Sequence, residues 1–146
     1  MAIDFSDTIG RYLSITCRRL SARMARRLAP HGIGAGQFPI LFTLYVEEGL
    51  TQKEIALRTA LDKAAVARAV TALEKEGYVE RRPDGQDRRA VQVRLTTRAR
   101  RMRPKLEAAA AGEMEALQTG LSSQERTELK RLLKQVAENA GDERDK

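Results

Sequence analysis

A chain of 146 residues is long enough for one domain with a hydrophobic core and too short for two comfortable ones. Its 42% hydrophobic content is ordinary for a folded soluble protein, while 32% charged residues and a formal net charge of +7 favour an anionic partner. The one cysteine, Cys17, excludes a disulfide framework within the chain and fits a reducing compartment.

The amino terminus, MAIDFSDTIGRYLS, has early acids and no basic region ahead of a long apolar run, so no signal peptide is expected. The most apolar stretch, residues 38–46, is far shorter than the roughly 20 residues of a membrane span. A soluble cytoplasmic protein with no membrane partner is the expectation.

Residues 6–28 are predicted to form an amphipathic helix. Ile9, Leu13, Thr16, Cys17, Leu20, Met24 and Leu28 recur at three- and four-residue steps, which places them on one face, with six arginines mostly elsewhere. Pro30, Gly32 and Gly34 end it. A second helix spans residues 36–48, and its Phe38, Leu41, Phe42 and Tyr45 share a face suited to core packing. Gly49 stops that helix. Thr51 and Glu54 form a capping box for a third, residues 52–59, which buries Ile55 and Ala56.

After a short turn at Ala60 and Leu61, Asp62 is placed to cap a fourth helix. Val66, Ala69, Val70 and Leu73 fall in its core-facing arc, and Ala64, Arg68, Thr71 and Lys75 lie about 180° away. The outward face is therefore small at its start and basic beyond. Small residues let a backbone approach base edges, and Arg68 has the planar fork for a guanine or a phosphate. Gly77 ends the helix. Residues 78–82 and 90–95 read as two strands around PDGQDRR, the second alternating Val91, Val93 and Leu95 with polar residues. Arg88 and Arg89 at the far end of this hairpin suit the minor groove, with Asp87 holding a guanidinium and bracing the turn.

A helix over residues 97–119 follows, its seam running through Ala99, Met102, Leu106, Ala109, Ala110, Glu113 and Leu117. Pro104 is expected to kink it or mark its effective start. Ser122 and Glu125 make a second capping box, opening a last helix that aligns Leu129, Leu132, Leu133, Val136, Ala137 and Ala140. The tail, residues 141–146, has nothing to bury and is expected to fray.

The order is mainly α with a small β-wing: a winged helix-turn-helix over residues 36–96, flanked by helices at 6–30 and 97–140, in one domain of residues 1–146. Residues 51–103 hold 14 lysines and arginines against 7 aspartates and glutamates, a surplus equal to that of the whole chain. Such a surface attracts phosphate by releasing condensed counterions. The terminal helices offer more apolar positions than a winged helix buries alone, which implies a homodimer. A two-fold dimer presents two recognition helices to half-sites ~34 Å apart.

The stretch LTQKEIALRTALDKAAVARAVTALEKEGYVERRPDGQDRRAVQVRLT, above all Asp87-x-Arg89 followed by Leu95 and Thr96, resembles the multiple-antibiotic-resistance regulator (MarR) family of bacterial and archaeal transcription factors. GLSSQERTELKRLL resembles the family's closing helix, so the likeness covers about residues 6–140. The resemblance implies an obligate, triangular homodimer with six helices and a wing. It implies that Lys63, Ala64, Ala65, Ala67 and Arg68 face the major groove of a pseudo-palindrome, that Arg89 enters the minor groove, and that Thr51 and Gln52 touch phosphate. Ala64, Ala65 and Ala67 stand where many members have Ser or Thr, which shifts specificity onto Arg68 and groove shape. Ala60 replaces a common glycine, which is expected to change little.

The resemblance further implies a repressor released by a small phenolic or anionic effector bound between the dimer helices and the winged part, with Tyr12 and His31 near the pocket. One alternative is a thiol-based redox sensor, as in relatives with a cysteine in the first helix; Cys17 follows Tyr12, although its spacing puts it on the apolar seam. Non-specific DNA packaging is another. No nucleophile-and-base pair or glycine-rich phosphate loop points to an enzyme, and His31 with Cys17 is too small a set for a metal site. No cofactor is expected; the expected partners are double-stranded DNA, a second copy of the chain and a small effector.

Overall fold

The computed structural model describes residues 2–86 and 89–141. Its internal contacts divide the chain into two compact units, Met1–Glu113 and Met114–Lys146. Among the described residues the order is α1 (Ile9–Leu28), a 3-10 helix (Ala29–His31), α2 (Phe38–Val46), β1 (Leu50–Thr51), α3 (Gln52–Thr59), α4 (Lys63–Lys75), β2 (Val79–Pro83), β3 (Val91–Leu95), α5 (Thr97–Leu117) and α6 (Ser123–Ala140). The predicted class, mainly helical with a winged helix-turn-helix, is the observed one.

α1 begins three residues later than the periodicity predicts. Asp4 accepts from the Ser6 N–H and hydroxyl at 2.8 and 2.6 Å, folding the chain into a local turn. Thr8 then caps the helix by accepting from the Arg11 N–H at 3.1 Å. Of the predicted seam only Met24 and Leu28 are buried, whereas Ile9 is 69% exposed and Cys17 is exposed. Only the carboxy-terminal turns of α1 join the core of the first unit.

α2 starts at Phe38 because the Gln37 side-chain oxygen folds back onto the Gly34 N–H at 2.5 Å and Pro39 occupies the first turn, where its missing N–H costs nothing. Leu41 and Tyr45 are buried, Phe38 and Phe42 half-buried, and the three rings meet edge to face at 6.4 and 5.9 Å. The Tyr45 hydroxyl donates to the Ala99 carbonyl at 2.7 Å, tying α2 to the first turn of α5.

Among the described residues the sheet has three strands in the order β1-β3-β2, one more than the predicted two. β1 has two residues, too few to alternate, and pairs antiparallel with β3 through Leu50 opposite Val93 and Thr51 opposite Gln92. Thr51 therefore ends a strand and caps α3 at once. Its hydroxyl accepts from the Glu54 N–H at 3.2 Å, and Glu54 accepts from the Thr51 N–H at 2.8 Å. β2 pairs with β3 from Val79–Leu95 to Pro83–Val91, and Pro83 is tolerated because β2 is an edge strand. Val93 and Leu95 are buried as predicted; Val91 is 43% exposed, because the outer half of the hairpin lies beyond the core.

α4 buries Val66, Ala69, Val70 and Leu73 as their spacing predicts. Gly77, at φ 79°, ends it, with the Tyr78 N–H reaching back to the Leu73 carbonyl at 2.9 Å. α5 runs through Pro104 as one continuous helix, so the proline does not mark its start. Thr96 accepts from the Ala99 N–H at 3.2 Å before it, and the buried Ala99 and Leu106 hold the helix on either side of the proline. In the second unit Ser122 and Glu125 make the predicted capping box of α6, and Arg126 donates to the Leu121 and Gln118 carbonyls. No residue of α6 is buried. Residues 142–146 of the expected frayed tail lie outside the described residues.

Candidate nucleic-acid interface

α3 and α4 are joined through Ala60, whose backbone sits at φ 56°, ψ 23°. It is the one non-glycine residue with positive φ among the described residues. An L side chain there costs roughly 1–2 kcal/mol, so alanine in place of glycine does change something: the turn is strained. Thr59 braces it, accepting from the Leu61 N–H at 3.4 Å while donating to the Ile55 carbonyl at 2.7 Å. Asp62 then opens α4 by accepting from the Ala65 N–H at 2.7 Å.

On α4, Lys63, Ala64, Arg68 and Thr71 are exposed, with Ala65 and Ala67 half-buried beside them. The side chains of Lys63 and Arg68 make no hydrogen bond or ion pair among the described residues. Arg68 thus offers an unspent guanidinium fork on a face that is otherwise small.

Thr71 is tied more closely than its spacing suggested. Arg81 of β2 donates to the Thr71 hydroxyl at 3.1 Å, to the Gln52 side-chain oxygen twice at 3.1 Å, and to Glu74 at 2.9 Å. The Arg81 backbone N–H adds a bond to the other Glu74 oxygen at 3.3 Å. One side chain therefore links the start of α3, the second half of α4 and the wing strand. Beside it opens a cleft of about 530 Å³ lined by Thr51, Gln52, Lys53, Arg81, Arg89, Ala90 and Val91. Arg89 is exposed on its rim. Lys53, Arg89 on the rim and the amino-terminal end of α3 around one concavity suit an acceptor-only anion such as phosphate. Asp87 and Arg88, expected to form the rest of the wing tip, lie outside the described residues.

Tyr12, His31 and Cys17 are not brought together. Tyr12 sits in the first turn of α1 and donates to Asp7 at 3.0 Å. His31 follows the last turn, where its carbonyl accepts from the Tyr78 hydroxyl at 2.7 Å. Within one chain about 28 Å of helix separates the two, at 1.5 Å per residue. The cavity near the carboxy-terminal half of α1 has other walls: about 350 Å³, lined by Arg23, Arg26, Arg27 and Glu113. Glu113, 5% exposed, accepts from Arg23 at 2.5 Å and Arg27 at 2.8 Å. Arg27 first and Arg23 second hold its carboxyl below the usual glutamate range. Among the described residues no group of three or more His, Cys, Asp or Glu is arranged to hold a metal ion, and no helix is long and apolar enough to cross a membrane.

Residues 31–90 match the family model described as MarR family. A MarR transcriptional regulator from Methanosarcina mazei Go1 shares 34% identity and a TM-score of 0.84, over 90% of this chain and 94% of that one. The chain belongs to the MarR family. This MarR-family protein is also 30% identical over 89 residues to the multiple antibiotic resistance protein MarR of Escherichia coli strain K12, covering 61% of this chain and 62% of that protein. At 20% identity a MarR-family regulator from Listeria monocytogenes, solved in complex with 26mer DNA, shares the fold with a TM-score of 0.86, over 91% of this chain and 89% of that one. The family's members are transcriptional regulators that bind DNA, not enzymes, and this chain is one of them.

Arg81 of the interface and Glu113 of the cavity were not singled out for these roles by sequence reasoning. Arg81 looks like any of the three strand arginines, and Glu113 like an ordinary position on the α5 seam. A charged residue on an otherwise apolar seam was the one local signal for Glu113; its partners lie 86 and 90 residues away.

Proposed function

We propose that this MarR-family protein binds a pseudo-palindromic operator as a homodimer, represses transcription there, and is released by a small phenolic or anionic effector. The observation that carries the reading is the outward face of α4, where the unpartnered Arg68 stands beside Ala64, Ala65 and Ala67. In this reading Lys63, Ala64, Ala65, Ala67, Arg68 and Thr71 face the major groove, and Arg88 and Arg89 of the wing, with Asp87 beside them, face the minor groove. Thr51 and Gln52 touch phosphate. The DNA-bound Listeria neighbour supports the use of this fold on a duplex.

Homodimerisation is supported by apolar side chains left outside each unit: Ile9 at 69% and Tyr12 at 56% exposure in the first, Leu129, Leu132 and Leu133 at 42–46% in the second. An anionic effector is supported by the Arg23–Arg26–Arg27 cavity, where one glutamate faces three arginines. The test is binding to a duplex from the gene's own upstream region against a scrambled duplex, at two salt concentrations. Specific complexes exceed non-specific ones by about 10³ or more, and Arg68→Ala is expected to erase at least tenfold of that gap. Equal, steeply salt-dependent binding to both duplexes would instead make this a phosphate-reading DNA coat.

A thiol switch is the second reading, favoured by one observation: Cys17 is exposed rather than buried on the seam. A Cys17→Ser protein still released from DNA by peroxide would end it.

A further inference from the structure

Gln52 and Thr71 carry groups of mixed character. A primary amide has an acceptor oxygen and a donor NH2, and a hydroxyl both gives and takes. Arginine only donates. Whatever it binds must turn its accepting side inward. The Gln52 oxygen receives two Arg81 bonds at 3.1 Å and the Thr71 oxygen a third at 3.1 Å. What is left for another molecule, besides one lone pair on Thr71, is the pair of amide N–H groups on Gln52 and the O–H proton on Thr71. A DNA phosphate oxygen is an acceptor only, so these are the groups it needs.

Resting on the operator-binding reading above, we propose that Arg81 is a positioning residue of the DNA interface: by filling the acceptor side of Gln52 and one lone pair of Thr71 it presents both as donors on one surface. Its own charge is answered by Glu74, which accepts from its side chain at 2.9 Å and its backbone at 3.3 Å. Arg81 therefore supplies orientation rather than net charge. Lysine cannot replace it, because a point ammonium does not reach three acceptors on two helices the way a planar fork does.

The experiment measures operator affinity against salt, and thermal stability, for Arg81→Lys, Gln52→Ala, Thr71→Val and the Arg81→Lys/Gln52→Ala double variant. Arg81→Lys and Gln52→Ala are each expected to weaken binding about tenfold or more with the salt slope unchanged. The double variant is expected to bind no more weakly than Arg81→Lys alone, since the two act as a unit. Arg81→Lys binding like the wild type, additive losses in the double variant, or a slope smaller by about one per site would each overturn the proposal, the last because it marks a lost ion pair with phosphate, which neither a positioning Arg81 nor the neutral Gln52 makes. If Arg81→Lys does not fold, Gln52→Ala and Thr71→Val decide: weaker binding at unchanged slope and stability supports the proposal, and wild-type affinity in both overturns it. A wild-type protein with no preference for the operator would overturn the parent reading and this inference together, whereas operator preference with wild-type binding by the variants overturns this one alone.

Discussion

The turn between α3 and α4 needs a left-handed residue, and alanine fills it at φ 56°. The methyl group is penalised by roughly 1–2 kcal/mol there, while glycine would lose more backbone freedom on folding, by about 0.5–1 kcal/mol. The difference favours glycine, so Ala60→Gly is expected to stabilise the protein by about 0.5–1 kcal/mol in urea denaturation, with the far-ultraviolet spectrum unchanged. Glu113 gives the second prediction at this scale. Its carboxyl is held low by Arg27 and Arg23, so the folded form binds a proton less readily than the unfolded chain. That contribution is complete above the unfolded value near pH 4.5 and is lost as pH falls through the lower folded value. Thermal melts from pH 7 to pH 3 are expected to fall below about pH 4.5, and Glu113→Gln is expected to flatten that acid limb. An identical limb in the variant would move the acid sensitivity elsewhere. Position 113 was legible as part of the α5 seam, but the two arginines that meet it were not.

Among the elements, the helices were the most legible, since three of them are announced by a cap within three or four residues of their own start. Thr51 with Glu54, Asp62, and Ser122 with Glu125 all cap where expected, and the four core positions of α4 are buried as their spacing requires. The recognition helix depends on one of these caps. Asp62→Ala is expected to cost about 1 kcal/mol of stability, read from chemical denaturation, and to fray the first turn that presents Lys63 and Ala64. α1 was over-extended in the sequence reading because Asp4 and Ser6 form a turn that helical periodicity does not register. β1 was missed because a two-residue strand has no period; it exists only by pairing with β3.

For the whole molecule the open question of covering the apolar positions has a direct test. α6 has no buried residue, yet Leu129, Leu132 and Leu133 recur at helical spacing on it. Light scattering after gel filtration is expected to give twice the 16.3 kDa of one chain. Leu129→Glu combined with Leu133→Glu is expected to lower that mass toward one chain at micromolar concentration. A monomeric wild type would sink the homodimer. What the sequence by itself determined is the local grammar: the order of elements, their caps, the inward and outward faces of α4, and the basic surplus of the middle third. Each is decided by contacts within a few residues, or by composition alone. Only the tertiary structure decided what binds across distance: the edge strand β1, the strain at Ala60, the Arg81 link to Gln52 across 29 residues, and the Glu113 pair with Arg23 across 90. Those depend on where the folded chain brings remote side chains together, and no periodicity along the chain encodes that distance.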